Sequence, residues 1–354
     1  MNFEFTTAAR IIFGPGKLKE LGSLVKGRIL LVQPKPALPV KVSLPECVPF
    51  SVTGEPTVQL VRDGMALARQ ERCDVVVSLG GGSVIDTGKA IAALLTNGGD
   101  PLDYVEVVGK GQAITKPGVP FIAIPTTAGT GAEVTRNAVL FSPEHHVKVS
   151  LRGQHLLARV ALVDPELTHG LPPAVTASTG LDALTQLIEP FVSCKANPLT
   201  DAICREGMMR VARSLRRAFE TGAPDARADM ALASLFGGLA LANAGLGAVH
   251  GFAAPLGGMY DAPHGALCAA LLPAVFAMNA RLAPNRERFD EVRRLTGDLP
   301  ELCLALGVKR LREFGVRRAE FPVIIEKAAA ASSMKGNPVA LTPAQLGEIL
   351  EQAW

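Results

Sequence analysis

Residues 74–92, DVVVSLGGGSVIDTGKAIA, join a strand pattern, a glycine turn and a helix pattern. The β-branched run at the start is typical of a strand buried on both faces of a parallel sheet. Glycines let the backbone approach a ligand closely, and the N–H groups at a helix start attract anions. We therefore interpret Gly80 to Ser83 as a pyrophosphate site, with a purely structural turn as the alternative.

The segments around this stretch repeat its strand and helix pattern. Short apolar runs that suit strands alternate with amphipathic stretches that suit helices. Because strands that are joined through helices lie parallel, we predict a doubly wound, Rossmann-like parallel sheet for the first half. The predicted strands are residues 28–32, 74–79, 119–124 and 160–163, and the predicted helices are residues 58–72 and 84–95.

A second loop follows the predicted strand at residues 119–124. Residues 125–133 read PTTAGTGAE, and their threonine hydroxyls could reach ribose or phosphate oxygens. Ligands of open α/β sheets bind at the carboxyl ends of strands. Two such loops at successive strand ends therefore favour a binding role over plain turns.

The second half has a different pattern, with long Ala/Leu-rich segments separated by Pro, Asn and Gly. It predicts an all-α domain, and a chain of 354 residues suits two domains. We place the boundary so that residues 1–168 form the α/β domain and residues 169–354 the helical one. The predicted helices are residues 176–191, 198–221, 225–244 and 265–281.

Composition narrows the function classes. The net charge of +3 is mild, and the arginines of residues 210–217 recur at helical spacing, so nucleic acid is not expected as a partner. We see neither an apolar run of roughly 18 residues nor a signal pattern, so no membrane partner is expected. The 6 cysteines contain no C-x-x-C pair and suit free thiols in the cytoplasm.

Potential metal ligands are concentrated in the helical half. The stretch VHGFAAPLGGMYDAPH holds His250 and His264, and His250 is expected to end a helical stretch. Asp182 and Gln186 share one face of a predicted helix, whereas Glu189 is expected to fall off that face. Carboxylate and imidazole suit zinc or ferrous iron, so Asp182, His250 and His264 form a candidate metal site. The amide of Gln186 would be a poor fourth ligand.

Together these segments resemble the iron-containing (group III) alcohol dehydrogenase family over nearly the whole chain. The motifs that carry the resemblance are IFGPG (12–16), GGGSVIDTGKAIA (80–92), PTTAGTGAEVT (125–135), LVDPELT (162–168), TGLDALTQLIE (179–189), NPLTD (197–201), NAGLGAVHGFAAPLGG (243–258) with PHG (263–265), and GNPVALT (336–342). The family implies a dinucleotide-binding domain over residues 1–168. It implies a helical metal and substrate domain over residues 169–354.

The resemblance also implies an activity. It is that of a metal-dependent, NAD(P)-linked alcohol dehydrogenase or aldehyde or ketone reductase, in which zinc or iron polarises the carbonyl oxygen. Asp182, His250 and His264 would be the catalytic metal ligands, as in the three-ligand zinc site of the related glycerol dehydrogenases. The cofactor contacts carried over by position are Gly81, Gly82, Ser83, Asp86, Thr126, Thr127, Thr130 and Lys148. A homodimer is expected through β-structure at residues 2–14.

Three departures from the family pattern stand out. Gln186 stands where the iron enzymes have a ligating histidine, and Ala254 where many members have a histidine near the substrate, which removes a proton relay. Residues 35–55 are proline-rich where the family usually inserts a helix and another strand. Pro34 replaces the aspartate that holds the ribose hydroxyls in NAD-preferring relatives, so NAD and NADP both remain possible.

Other functions also remain open. A metal-free reductase of the maleylacetate type would act on an acidic substrate. A dehydroquinate synthase-like lyase would need many Lys/Arg residues for a phosphorylated substrate, but mainly apolar residues and glycine surround Asp182 and His250 in the sequence. Gln186 and Ala254 could also mark a nucleotide-binding protein whose active site has decayed.

Overall fold

The structure is a computed structural model and describes residues 2–40, 44–145, 147–260 and 262–354. The chain divides into two compact units. One unit comprises Thr6–Thr127 and Gly131–Thr168. The other comprises His169–Trp354 and the short segments Met1–Phe5 and Ala128–Thr130.

The first unit is an α/β structure built on a parallel sheet, which confirms the predicted fold class. Its strands are β1 (Arg10–Phe13), β2 (Ile29–Pro34), β3 (Cys47–Val52), β4 (Val75–Gly80), β5 (Phe121–Pro125), β6 (Asn137–Ser142), β7 (Val147–Arg152) and β8 (Val160–Val163). Within the described residues, six strands pair in parallel in the order β1, β8, β5, β4, β2, β3. Strands β6 and β7 form a separate antiparallel hairpin.

The helices of this unit are α1 (Leu21–Leu24), α2 (Val58–Gln70), α3 (Gly82–Asn97) and α4 (Pro101–Tyr104). Every residue of β4 is buried, as its continuous apolar sequence predicts. The side chain of Thr57 accepts a hydrogen bond from the backbone of Leu60 and thereby caps α2. Helix α3 starts directly after β4 and packs against it. The sheet therefore presents the start of α3 at the carboxyl end of β4.

The proline-rich residues 35–55 contain a strand that the sequence interpretation missed. This strand is β3, which pairs with β2 along its whole length, from Cys47 opposite Ile29 to Val52 opposite Pro34. Proline lacks the N–H that a ladder needs, and Pro49 lies within this strand. Because β3 lies at the edge of the sheet, Pro49 is tolerated there. The described part of residues 35–55 contains no helix.

The N-terminal β-structure is shorter than predicted. Residues 2–14 contain only β1 within their described length, and β1 pairs with β8 of the same chain. The antiparallel hairpin of β6 and β7 was not predicted at all. His145 lies in the turn that follows β6 and is exposed, and His146 lies outside the described residues.

The second unit is helical, again as predicted. Its helices are α5 (Pro173–Val192), α6 (Pro198–Thr221), α7 (Pro224–Ala244), α8 (Ala248–Met259), α9 (His264–Leu282), α10 (Arg286–Thr296), α11 (Leu299–Ala305), α12 (Phe321–Ala330) and α13 (Pro343–Ala353). Helix α5 packs against α6, α7 and α9, so most of its length is buried. Its apolar side chains, such as Leu184 and Phe191, are fully buried in the core of this unit.

Helix α9 is long and apolar enough to pass a length and hydropathy test for a membrane span. However, 56% of its apolar window is buried inside the protein, where α9 packs against α5, α8 and α13. The adjacent helices α7 and α8 pass the same test together, but they are bent by 101° at their junction. The apolar character of α9 is therefore that of a core helix.

Candidate functional site

Helix α5 carries two buried carboxylates, Asp182 and Glu189, and a buried amide, Gln186. The sequence interpretation placed Glu189 off the face of Asp182, and this was wrong. Seven residues of an α-helix turn through nearly two full revolutions, so Glu189 lies only about 20° from Asp182 around the axis. All three residues therefore project from the same face of α5.

His250 lies in the first turn of α8 and does not end the preceding helical stretch, as the sequence suggested. Helix α7 stops at Ala244 because Gly245 adopts a left-handed φ of 75°, and α8 begins at Ala248. Buried acceptors from elsewhere in the chain hold the new helix start. Asn337 Oδ1 accepts the Ala248 N–H at 3.1 Å, and Glu189 Oε1 accepts the Val249 N–H at 2.7 Å.

Glu189 also orients His250. Its Oε2 lies 2.7 Å from His250 Nδ1, and both side chains are buried. A carboxylate accepts, so Nδ1 carries a proton and Nε2 is the nitrogen that a metal could bind. Burial would lower the pKa of His250, but the surrounding acidic groups, Glu189 and Asp182 among them, raise it well above its usual value, so without a metal Nε2 also carries a proton, directed at Asp182. Metal-ligating histidines have this arrangement of one ring nitrogen on a carboxylate and the other available to the metal.

His264 is the first residue of α9, and Cys268 follows one turn later on the same face. The start of α9 approaches α5 closely at Gly265. A methyl group at Gly265 would lie 2.5 Å from the carbonyl oxygen of Ser178, which is closer than real contacts allow. Glycine at this position therefore lets His264 come near Asp182.

These helices bring together a set of side chains that we call the donor cluster, namely Asp182, His250, His264 and Cys268. Their ligand atoms all lie within 4.8 Å of one another. Asp182 Oδ1 is 3.3 Å from His250 Nε2 and 4.0 Å from His264 Nε2. His264 Nε2 is 3.7 Å from Cys268 Sγ. The structure thus assembles the three ligands suggested by the sequence and adds a thiol.

The donor cluster has the ligand chemistry that a divalent cation requires. Among the residues that the structure describes, Asp182 Oδ1 and His250 Nε2 are buried and make no hydrogen bond to a residue outside the donor cluster. An unsatisfied buried polar group costs about 1–3 kcal/mol, so these two atoms need either a shared proton or a cation between them. Carboxylate, imidazole and thiol are all ligands for zinc. The residues therefore fit the metal that the sequence suggested.

The pKa values of the cluster set the charge of its ligands. Burial alone would raise the pKa of Asp182, but His250 and His264 outweigh this effect and lower it below its usual value. The carboxylate is therefore ionised at neutral pH. Burial raises the pKa of the Cys268 thiol to about 12, so the sulfur keeps its proton unless a cation holds it.

Gln186, the weak fourth ligand in the sequence hypothesis, contacts Asp182 directly. Its Nε2 donates a hydrogen bond to Asp182 Oδ2 at 3.1 Å. Its Oε1 faces α7, where a methyl group added to Gly237 would lie 3.3 Å from this oxygen. The amide thus holds one carboxylate oxygen of Asp182 and leaves Oδ1 for the cluster.

In the α/β unit, the two loops that the sequence singled out lie side by side. Strands β4 and β5 pair with Gly80 opposite Pro125, and the Thr126 N–H donates to the Gly80 carbonyl at 3.0 Å. A methyl group on Gly81 would lie 3.4 Å from Thr127, so the two loops touch. The N-cap of α3 is Gly81, and the helix begins with Gly82 and Ser83. These glycines and threonines form one helix-start cradle.

The other predicted cofactor contacts are placed differently. Asp86 Oδ2 accepts the Val139 N–H at 3.0 Å, and its Oδ1 lies 3.5 Å from the buried Lys89 ammonium. Lys148 forms an ion pair with Glu55 at 3.0 Å. Thr130 belongs to the short segment that groups with the helical unit. Asp86 and Lys148 thus already have partners within the protein.

Comparison with known proteins decides the family. The chain matches the family model described as "Iron-containing alcohol dehydrogenase" over residues 8–165. It matches "Fe-containing alcohol dehydrogenase family, C-terminal" over residues 176–354. The chain belongs to the iron-containing alcohol dehydrogenase family. This confirms the resemblance drawn from the motifs.

Similar members of this family are named for alcohol and aldehyde substrates. The 1,3-propanediol dehydrogenase of Klebsiella pneumoniae is 39% identical over 313 residues, covering 83% of this chain and 79% of that protein. The lactaldehyde reductase of Escherichia coli (strain K12) is 35% identical over 321 residues, with coverage of 86% and 83%. The crystal structure of a 1,3-propanediol oxidoreductase superimposes with a TM-score of 0.92 at 34% identity and covers 100% of both chains.

The chain is therefore an oxidoreductase, a metal-dependent, NAD(P)-linked alcohol dehydrogenase, as predicted. Sequence reasoning missed two functional candidates within this iron-containing alcohol dehydrogenase. The i, i+7 spacing from Asp182 could have revealed Glu189. The i, i+4 spacing from His264 could have revealed Cys268.

Proposed function

We propose that this dehydrogenase interconverts a short-chain aldehyde and its alcohol, with its divalent metal held by Asp182, His250 and His264. The observation that carries the proposal is the pair Asp182 Oδ1 and His250 Nε2. These atoms are buried at 3.3 Å from each other, and neither makes a hydrogen bond to a described residue outside the donor cluster. Such a buried pair is satisfied either by a proton on Nε2, which makes His250 an imidazolium paired with Asp182, or by a metal cation in the place of that proton.

The surrounding residues preorganise these ligands. Glu189 keeps the proton of His250 on Nδ1, and Gln186 binds the second oxygen of Asp182. When bound, the metal would supply Lewis-acid polarisation of the substrate carbonyl, and the nicotinamide would supply or accept the hydride. The protein therefore contributes mainly orientation and burial.

We propose that the dinucleotide phosphates bind at the α3 start, on Gly81, Gly82 and Ser83, beside the threonine loop. The first N–H groups of a helix and its positive dipole end favour an anion. Strand β2 ends at Pro34, which can neither bind a ribose hydroxyl nor repel a 2′-phosphate. We expect NADPH to be used as well as NADH, with values of kcat/KM within about tenfold of each other.

The substrate proposal rests on the surroundings of the donor cluster and on the relatives. Helix α8 presents Gly251, Phe252 and Ala253 next to His250, all of them buried and without charge. Ala254 provides no proton relay, so solvent or a cofactor ribose hydroxyl would supply the proton. A small neutral carbonyl compound fits these residues better than a phosphorylated or acidic one.

Metal analysis combined with a substrate panel tests the proposal. We expect near-stoichiometric zinc or iron in the purified enzyme, and NADH oxidation with short aldehydes such as propanal. Asp182→Ala should lose both, whereas Asp290→Ala, an exposed carboxylate on α10, should lose neither. Activity on maleylacetate without any metal would instead establish the metal-free reductase. Absence of metal and of turnover would indicate a decayed site.

Cellular location and assembly are part of the proposal. The structure describes all 6 cysteines, and all of them are free thiols. Free thiols suit a reducing cytoplasm. We propose a homodimer, which light scattering coupled to gel filtration would test.

A further inference from the structure

We infer that Cys268 Sγ is the fourth protein ligand of the metal and takes the place that Gln186 cannot fill. The inference deepens the proposed function and rests on it, because it concerns the same metal. It also predicts which metal the site prefers, since a thiolate is a soft ligand. On binding, the thiol would lose its proton to solvent, as zinc-bound cysteines do.

The geometry of the donor cluster carries the inference. With zinc–nitrogen bonds of about 2.0–2.1 Å and zinc–sulfur bonds of about 2.3 Å, the edges of a tetrahedral site measure about 3.3–3.7 Å. The spacing of His264 Nε2 and Cys268 Sγ is 3.7 Å, and that of Asp182 Oδ1 and His250 Nε2 is 3.3 Å. Both distances have tetrahedral dimensions before any ion is bound, and the 4.0 Å between Asp182 Oδ1 and His264 Nε2 would shorten by a few tenths of an ångström on binding.

Backbone packing places Cys268 in this position independently of the distances. Cys268 lies one turn beyond His264 on α9, so one helix supplies both side chains from the same face. The close approach of Gly265 to Ser178 fixes the start of α9 against α5, which carries Asp182. Cys268 is also fully buried, at the side of the other three ligands.

Gln186 is the competing fourth ligand, and its contacts argue against that role. Its amide N–H is directed at Asp182 Oδ2, and the oxygen faces Gly237 of α7. Turning the amide over would bring its oxygen against an ionised carboxylate oxygen, which is repulsive. Gln186 is therefore a positioning residue for Asp182, and Cys268 completes the protein ligand set. The substrate oxygen would then bind as a fifth ligand, an expansion that catalytic zinc sites make.

A thiolate changes the metal preference of the site. Soft sulfur ligands select zinc over hard-ligand metals, and ferrous iron binds more weakly than zinc to a given set of N, O and S ligands. A ligand set of one carboxylate, two imidazoles and one thiolate is thus expected to favour zinc. Iron-containing members with a histidine at the Gln186 position have a nitrogen ligand there, which does not favour zinc as a thiolate does.

X-ray absorption spectroscopy of the zinc-loaded full chain tests the inference without relying on activity. We expect one sulfur scatterer at about 2.3 Å beside nitrogen and oxygen at about 2.0–2.2 Å. In Cys268→Ser, the sulfur scatterer should be absent and the zinc dissociation constant should rise more than tenfold in a chelator competition. Cys204→Ser removes an equally buried thiol outside the donor cluster and should preserve both signals.

The outcomes separate this inference from the proposed function. Stoichiometric zinc with only nitrogen and oxygen scatterers in the wild-type chain would overturn the role of Cys268 and leave the metal-dependent dehydrogenase intact. A sulfur scatterer that persists in Cys268→Ser would overturn it as well. A wild-type chain that retains no metal after loading would overturn both proposals. The wild-type spectrum decides the matter even if the serine variant does not fold.

Discussion

Two buried polar groups of the helical unit make an instructive contrast. Asn279 and Asn337 form an amide pair in which each Nδ2 donates to the other Oδ1 at 2.9 Å. Asn337 also accepts the Ala248 N–H and donates to the Val339 carbonyl, so both of its side-chain polar atoms have partners. The donor cluster is buried in the same unit, yet Asp182 Oδ1 and His250 Nε2 have no hydrogen-bond partner outside the cluster within the described chain.

The difference separates a structural group from a binding group. A fully satisfied amide pair stabilises the fold and needs nothing further. A cluster whose buried atoms face only one another is satisfied by a shared proton or by a metal cation, and its persistence in a folded protein indicates function. Asn337 and Glu189 connect the two, because both accept N–H groups at the start of α8 and so position His250.

The largest expected effect is on the donor cluster. Asp182→Ala should reduce metal content to background and kcat/KM by at least about a thousandfold, since Lewis-acid stabilisation is worth several kcal/mol. In urea denaturation of the metal-free proteins, Asp182→Ala should lower the free energy of unfolding much less than Asn337→Ala does. A variant that retains stoichiometric metal would contradict the assignment of Asp182 as a ligand.

The amide pair should show the opposite behaviour. Asn337→Ala leaves the Ala248 N–H and the Asn279 amide without their partner, so the free energy of unfolding should fall by about 2–4 kcal/mol. The folded variant should still bind metal stoichiometrically. The exposed Asn285→Ala is the matched control and should leave the urea midpoint unchanged. If Asn337→Ala lost its metal but kept its unfolding free energy, the amide pair would be part of the binding site and not a structural group.

Glu189 tests the link between the two groups. Glu189→Gln keeps an acceptor for the Val249 N–H but cannot hold the proton on His250 Nδ1 as a carboxylate does. We expect the metal dissociation constant to rise about 10–100-fold, with activity rescued at high metal concentration. Glu326→Gln, which alters an exposed glutamate on α12, is the control. An unchanged dissociation constant in Glu189→Gln would show that Glu189 only caps α8.

The smallest expected effect concerns a satisfied ionic group between α6 and α7. Asp229 accepts hydrogen bonds from Arg213, Arg210 and Ser214, and these lower its pKa from 3.8 to about 2. A carboxyl whose pKa is lower in the folded state stabilises the protein above its unfolded pKa, and this contribution is lost as the pH falls towards 2. Asp229→Asn should therefore cost about 1 kcal/mol at neutral pH.

Denaturation of this variant at about pH 7 and pH 3 provides the measurement. The difference between wild type and Asp229→Asn should shrink at the lower pH, because the carboxyl of the unfolded wild-type chain, with its ordinary pKa of 3.8, takes up a proton there while the folded one is still mostly ionised. An equal difference at both pH values would show that the arginine contacts contribute nothing that depends on the carboxylate charge.

The sequence predicted the central strands and the long helices well, because their patterns are local. Strand β4 reads as one apolar run, and helix α6 begins at the capping residue Asn197 followed by Pro198. Edge strand β3 was missed because its stability comes from pairing with β2, and Pro49 hides its alternation. A local sequence pattern does not reveal a strand whose stability comes from pairing with a neighbouring strand.

The candidate site was predicted only in part, because some of its features depend on contacts between distant residues. Asp182, His250 and His264 could be named from residue type and motif order. The helix start at Ala248 could not, because acceptors on Glu189 and Asn337 create it from distant positions in the chain. Cys268 gained a role only when the contact of Gly265 with Ser178 brought α9 against α5.

By itself, the sequence determined the family, the α/β and helical halves, and the glycine cradle at the start of α3, since these depend on local periodicity and on motif order. Only the tertiary structure decided which buried atoms of the donor cluster lack a partner outside it and which side chains orient them. The physical reason is that hydrogen-bond satisfaction is a property of three-dimensional packing. From the sequence, Asp182 and Asn337 are simply two polar residues in apolar helical segments. Only the packing shows that Asn337 has hydrogen-bond partners for its side chain and that Asp182 Oδ1 has none outside the donor cluster within the described chain.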